Sequence, residues 1–86
     1  MPIPENIYRE HIFQAMLKIK RDGIPNRRAA REWALRYENE NYPCKLLISW
    51  GNLYANGNEL NPNPRNFQTY MAQEYLQELG FDIIAI

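Results

Sequence analysis

The chain has 86 residues, of which 45% are hydrophobic and 13% aromatic, so it is long enough for one folded domain over residues 1–86 and too short for two. Its formal net charge is zero, and its one cysteine, Cys44, excludes an internal disulfide and a cysteine pair for a metal. With no signal-peptide pattern and no apolar run near the ~18 residues of a membrane span, the sequence predicts a cytoplasmic protein without a membrane partner.

The charge is unevenly distributed along the chain. Seven of the ten basic residues lie between positions 18 and 36, where only Asp22 and Glu32 oppose them, so this segment carries a net charge of +5. Such a field can attract a polyanion to one face of a neutral protein. The alternative is a solvated helix end and loop whose charges pair internally. The seven are Lys18, Lys20, Arg21, Arg27, Arg28, Arg31 and Arg36.

The first predicted element is a helix from Asn6, its N-cap, to about Arg21. Apolar residues recur there at the spacing of one helical face. Gly23, followed by the apolar Ile24, predicts a left-handed end to this helix. His11 has no second histidine or cysteine near it, which favours a packing or surface role over metal binding. The apolar face consists of Ile12, Ala15, Met16 and Ile19.

A β-hairpin is predicted next, after a basic loop or short helical turn at 26–31. Residues 33–38 alternate between apolar and polar, which indicates a half-buried strand. The turn formers at 38–41 predict that the chain folds back into a short second strand at Tyr42, which would lie near Tyr37. The inward residues of the first strand would be Trp33, Leu35 and Tyr37.

Pro43 can begin a second helix, which Asn56 and Gly57 would close. Gly51 inside this helix costs ~1 kcal/mol relative to alanine. That cost favours a close approach by another helix, with approach by a ligand as the alternative. The apolar stripe of this helix consists of Leu46, Leu47, Trp50, Leu53 and Tyr54.

A loop at 58–66 separates the second helix from a third, for which Asn66 is the predicted N-cap and Gly80 the stop. Residues 83–86 would form a last strand. The sequence therefore predicts an α+β domain in the order α-β-β-α-α-β, with a hairpin and a C-terminal strand packed against three helices. The inward face of the third helix would be Met71, Ala72, Tyr75, Leu76 and Leu79.

Catalytic patterns are absent from the sequence. It has no Gly-rich phosphate loop and no histidine pair, and its one serine, Ser49, lies inside a predicted helix. Cys44 would be a reactive thiol if the helix N-terminus lowered its pKa, but a buried small residue is favoured because no base accompanies it. We therefore predict no enzyme activity, no metal and no cofactor.

Binding to a polyanion is the better-supported prediction. Lys45 lies in the first turn of the second helix, where backbone N–H groups favour an anion. The arginines ahead of the hairpin can contact phosphates. Most aromatics are predicted to be core, with Tyr42 and Trp50 as exposed exceptions that could stack on a base. The predicted DNA-binding residues are Arg27, Arg28, Arg31, Arg36, Tyr42, Lys45 and Trp50.

Three motifs carry a family resemblance that spans nearly the whole chain: YENENYPCKLLISW at 37–50, YANG at 54–57 and LGFDII at 79–84. Together they resemble the N-terminal DNA-targeting module of McrA-type (HNH) modification-dependent restriction endonucleases of bacteria. Cys44 stands where a second proline is usual in that module. The loop sequence NPNPR at 61–65 replaces a segment that commonly carries paired glycines.

The resemblance implies binding to double-stranded DNA, with recognition of modified DNA as one form of it. Cleavage would come from a nuclease domain in the same chain or another chain, and the domain would be a piece of a longer HNH endonuclease. The alternative function is a protein-interaction or assembly domain, in which Trp50 and Tyr54 pack against a partner and arginines form ion pairs at the rim.

Overall fold

The computed structural model describes residues 3–86, and its elements follow the predicted order α-β-β-α-α-β. The strands form one antiparallel sheet in which the first strand lies between the second and the third. The predicted α+β fold is confirmed. The helices are α1 Arg9–Asp22, α2 Cys44–Asn56 and α3 Thr69–Glu78, and the strands are β1 Trp33–Tyr37, β2 Glu40–Tyr42 and β3 Asp82–Ala85.

The core lies between α1 and α2 and extends to the sheet and α3. The predicted apolar face of α1 is buried, and it packs against α2 at Gly51. A Cβ atom at Gly51 would lie 3.1 Å from Cδ1 of Ile12 and 3.1 Å from Cγ2 of Ile7. The close helix packing predicted from this glycine is therefore confirmed.

The start of α1 differs from the prediction. The N-cap is Tyr8 rather than Asn6, and the Tyr8 backbone N–H donates a 2.9 Å hydrogen bond to Nδ1 of His11. Asn6 instead donates a 2.6 Å hydrogen bond to the side chain of Asn56 at the far end of α2. His11 therefore has a structural role, because it satisfies one of the free N–H groups at the helix start.

The glycines that follow α1 and α2 adopt different backbone conformations. Gly57 has φ +87° and ψ +3°, the predicted left-handed end of α2. Gly23 has φ +81° but ψ +177°, so the prediction of a left-handed residue there is wrong. The N-cap of α3 is Gln68, not the predicted Asn66, which lies in the turn before the helix.

The hairpin between β1 and β2 turns on two residues, Glu38 and Asn39, whose φ values are +48° and +67°. Positive φ at both central residues is the pattern of the tight hairpin turn that matches strand twist. The register places Tyr42 opposite Leu35 rather than beside Tyr37. Tyr37 packs instead against Phe13 of α1, with ring centroids 5.1 Å apart.

Trp33 departs from the predicted alternation. It is 47% exposed, whereas Leu35 is fully buried. Trp33 opens β1 and pairs with Ala85 near the end of β3, and its indole lines a surface groove. Within residues 3–86, none of the helices has the length and apolar character needed to cross a membrane.

Candidate nucleic-acid interface

A groove of about 750 Å³ opens where the loop before β1 meets the N-terminal ends of α2 and α3. We call it the basic groove. It brings four of the seven predicted site residues onto one surface, although they come from two separate segments. These four are Arg27, Arg28, Arg31 and Lys45.

Local backbone structure accounts for this convergence. In the loop, the Arg28 N–H donates a 3.0 Å hydrogen bond to the carbonyl of Pro25, and Arg27 has φ +66°. The loop thus turns tightly just before the sheet. On the other side of the groove, α2 begins directly after the N-cap Pro43, which places Lys45 in the first helical turn.

Arg28 is anchored to α2. Its Nη2 donates a 3.1 Å hydrogen bond to Oγ of Ser49, and Ser49 is fully buried. Burial lowers the pKa of Arg28, an effect that the negative charge of Glu59 partly opposes. The guanidinium is therefore partly desolvated and fixed in position before any ligand arrives.

Lys45 is held in a similar way. Its Nζ donates a 2.5 Å hydrogen bond to the carbonyl of Pro62 and lies 4.7 Å from the centre of the Phe67 ring. Burial lowers the pKa of Lys45, and the positive charge of Arg28 lowers it further. The positive charges of Lys45 and Arg28 therefore repel each other, and an anion bound between them would relieve that repulsion.

The four groove cations form no ion pair with a carboxylate of residues 3–86. In residues 3–86, no Asp or Glu oxygen lies within 4 Å of a charged nitrogen of the four groove cations. Glu32 lines the groove without forming such a pair. The groove therefore carries an excess of positive charge.

The basic residues at the end of α1, unlike those of the groove, form ion pairs. Lys18 and Arg21 form ion pairs with Asp22 at 2.9 and 3.3 Å, and Lys20 pairs with Glu40 of the hairpin at 3.4 Å. The segment that looks continuous in sequence is thus two regions. The end of α1 follows the alternative of internal pairing, whereas the loop at 27–31 does not.

Arg36 lies outside the groove. It is exposed on β1, where its Nη1 donates a 3.3 Å hydrogen bond to Asn41, and its strand partner on β3 is Asp82. The structure therefore does not join Arg36 to the other predicted arginines.

The prediction that Tyr42 and Trp50 are exposed is wrong. They are only 3% and 5% exposed, so neither ring is open for a base to stack on. Each ring belongs to the core while its polar atom is satisfied at the edge: the Tyr42 hydroxyl donates to Glu40 at 2.8 Å, and Trp50 Nε1 donates to Glu59 at 2.5 Å. Both residues support the fold.

Two other aromatic residues line the groove instead. Trp33 is 47% exposed and Tyr70 is 51% exposed. Strand alternation predicts that Trp33 is buried, and its exposure shows that this prediction is wrong. The sequence does carry a signal for Tyr70, because this residue lies off the apolar stripe of α3, where a large aromatic side chain has no core to enter.

Among the described residues, the groove contains neither a reactive thiol nor a cluster of metal ligands. Cys44 is 2% exposed, and burial raises the pKa of its thiol to about 11, which keeps it protonated at neutral pH. Residues 3–86 contain no group of three or more His, Cys, Asp or Glu side chains that could hold a metal ion.

Comparisons of the chain with protein-family models, with curated proteins and with solved structures returned no match. The groove combines anchored cations with exposed aromatic residues. This combination is typical of surfaces that bind nucleic acid.

Proposed function

We propose that this domain binds DNA through the basic groove and performs no reaction on it. The observation that carries the proposal is the convergence on one groove of four cations that form no ion pair within the described part of the chain. Phosphate contacts by Lys and Arg supply most of the affinity of non-specific DNA binding. They also set the position of a protein on the DNA backbone.

The four cations divide into two kinds. Arg27 and Arg31 are exposed on the loop, so they suit phosphates at the rim of the groove. Arg28 and Lys45 are partly buried and held by Ser49 and Pro62. Because these two side chains are already ordered, less conformational entropy is lost when they bind a phosphate.

The resemblance to the DNA-targeting module of McrA-type HNH endonucleases supports the same proposal. In that setting the domain selects DNA, including modified DNA, and a nuclease domain in the same chain or another chain cuts it. The Tyr42-Pro43-Cys44-Lys45 step then has a divided role. Tyr42 and Cys44 are buried in the core, while Lys45 lines the groove and would contact the DNA.

The alternative, a protein-interaction domain, loses one of its two anchors. Trp50 is only 5% exposed and already bonded to Glu59, whereas Tyr54 is 36% exposed. Of the two predicted anchors, only Tyr54 keeps exposed surface, whereas the binding energy of protein interfaces concentrates in clustered anchors.

The experiment is fluorescence anisotropy with labelled duplexes that are plain or carry 5-methylcytosine, 5-hydroxymethylcytosine or phosphorothioate. We expect binding at about 50 mM salt that weakens steeply towards about 200 mM. The Arg27→Ala/Arg28→Ala double variant should lose most of this binding.

The matched control is the Lys20→Ala/Arg21→Ala double variant. It removes the same charge, but from cations that already form ion pairs with Glu40 and Asp22 and lie outside the groove, so affinity should change little. Absence of binding to every duplex at low salt would overturn the proposal. So would equal losses in the two double variants, because that result would reflect net charge rather than the groove.

A further inference from the structure

The two aromatic residues of the basic groove are not needed for phosphate contacts. Trp33 and Tyr70 expose about half of their surface, and each is attached to a regular element, Trp33 to β1 and Tyr70 to the first turn of α3. Rings of this size, fixed beside cations, form a platform on which a nucleobase can stack.

Stacking of that kind requires a base whose face is free. In a paired duplex each base is covered above and below by its neighbours, so side chains reach only its edges in the grooves. An unpaired base offers its whole π-face, which is why proteins that bind single strands combine aromatic rings with a basic groove.

The volume of the groove is suited to one unpaired nucleotide. Its volume of about 750 Å³ lies within the ~300 to 1,000 Å³ typical of sites that enclose one small molecule. A single nucleotide can enter such a space, whereas a double helix can only lie across its rim.

The cations complete the site. Arg28 and Lys45 line the same groove as Trp33 and Tyr70, and both are anchored by hydrogen bonds of 3.1 and 2.5 Å. A phosphate held between these two cations would leave its attached base in the same groove that the two aromatic residues line.

We infer that the basic groove accepts one unpaired nucleotide, with its phosphate held by Arg28 and Lys45 and its base stacked against Trp33 and Tyr70. This inference rests on the proposed DNA binding and adds a preference for unpaired over paired bases. The nucleotide can come from a single strand or from a base extruded from a duplex, since the chemistry at the groove is the same.

The test is a comparison of three DNAs of the same sequence by fluorescence anisotropy at one salt concentration: a single strand, its duplex, and the duplex with one unpaired nucleotide at its centre. We expect the bulged duplex, or both it and the single strand, to bind about tenfold more tightly than the perfect duplex. Tight binding by the bulged duplex alone would identify an extruded base as the ligand. Tight binding by the single strand as well would identify any unpaired base.

The variants Trp33→Ala and Tyr70→Ala should each reduce this preference, and Trp33→Phe should retain most of it. Tyr54→Ala is the matched control, because Tyr54 is a part-exposed tyrosine that does not line the groove. Circular dichroism checks that each variant is folded. If Trp33→Ala fails that check, Trp33→Phe and Tyr70→Ala carry the test.

Equal or tighter binding of the perfect duplex would overturn the inference and leave the proposed DNA binding intact. An undiminished preference in folded Tyr70→Ala and Trp33→Ala would also overturn it. Absence of binding to all three DNAs would instead contradict the proposed function.

Discussion

The guanidinium of Arg28 donates a 3.1 Å hydrogen bond to the hydroxyl of Ser49, a fully buried side chain of α2. A cation from an irregular loop is thereby fixed to a helix that belongs to the core. Ser49 also offers its backbone carbonyl to the N–H of Leu60 at 3.2 Å, so one turn of α2 orders the loops on both of its sides.

Replacing Ser49 by alanine should weaken DNA binding about threefold to tenfold, because a hydrogen bond to a charged group contributes ~1 kcal/mol or more and holds Arg28 in place. Anisotropy titrations with the serine and alanine proteins measure this change. In an Arg28→Ala background the same replacement should have no effect. An equal loss in both backgrounds would show that Ser49 acts through the general fold and not through Arg28.

Arg31→Ala and Arg36→Ala remove equal charge from positions inside and outside the groove. Arg31→Ala should reduce the slope of log affinity against log salt by about one unit, as expected for one lost phosphate contact. Arg36→Ala should leave the slope nearly unchanged. A larger reduction of the salt slope in Arg36→Ala than in Arg31→Ala would place the DNA contact surface on the sheet.

Much of the fold could be predicted from local patterns. The stripe from Ile12 to Ile19 is buried as its spacing predicts, and Gly51 marks close helix packing. Asn56 and Gly57 end α2 where expected. Each of these features depends on residues that are near one another in sequence, so helical periodicity and cap chemistry are sufficient.

The site could be predicted only in part, because it depends on distant neighbours. Lys20 forms an ion pair with Glu40, which lies far from it in sequence, on the hairpin. The exposure of Trp33 depends on how far the core extends along β1. Alternation gives the face of a strand on which a residue lies, but not whether that face is covered.

Gly51→Ala should destabilise the protein by about 1 kcal/mol. The helix gains ~1 kcal/mol from alanine, but the new methyl group would lie 3.1 Å from Ile7 and Ile12, and overpacking costs ~1 to 3 kcal/mol. Urea denaturation measures the balance. Ile12→Val, which removes the contacting Cδ1, should be less destabilising in the alanine background than in the native one. A Gly51→Ala protein more stable than the native one would show that the α1–α2 contact can relax.

Because of the buried Cys44 thiol, the free energy of unfolding should decrease as the pH rises above 9.0. Its thiol pKa is raised by burial from 9.0 to about 11 in the folded chain. Below pH 9.0 the thiol is protonated in both states and this contribution to stability is complete. As pH rises from there towards about 11, the unfolded chain loses the proton more readily than the folded chain, so the free energy of unfolding decreases.

Urea denaturation at about pH 8 and about pH 10.5 should show a decrease on the order of 2 kcal/mol larger in the native protein than in Cys44→Ala. Tyr42, whose pKa burial raises to about 12, is present in both proteins and cancels in the comparison. Equal decreases in the two proteins would mean that the Cys44 thiol is not desolvated.

Amide chemical shifts during a titration with a short DNA at low salt test the basic groove most directly. The shifts should concentrate at residues 27–33, 44–45 and 69–73, while the ion-paired end of α1 near Lys20 and the hairpin near Arg36 stay nearly unchanged. Shifts centred on α1 or the hairpin, or no shifts at saturating DNA, would contradict this prediction.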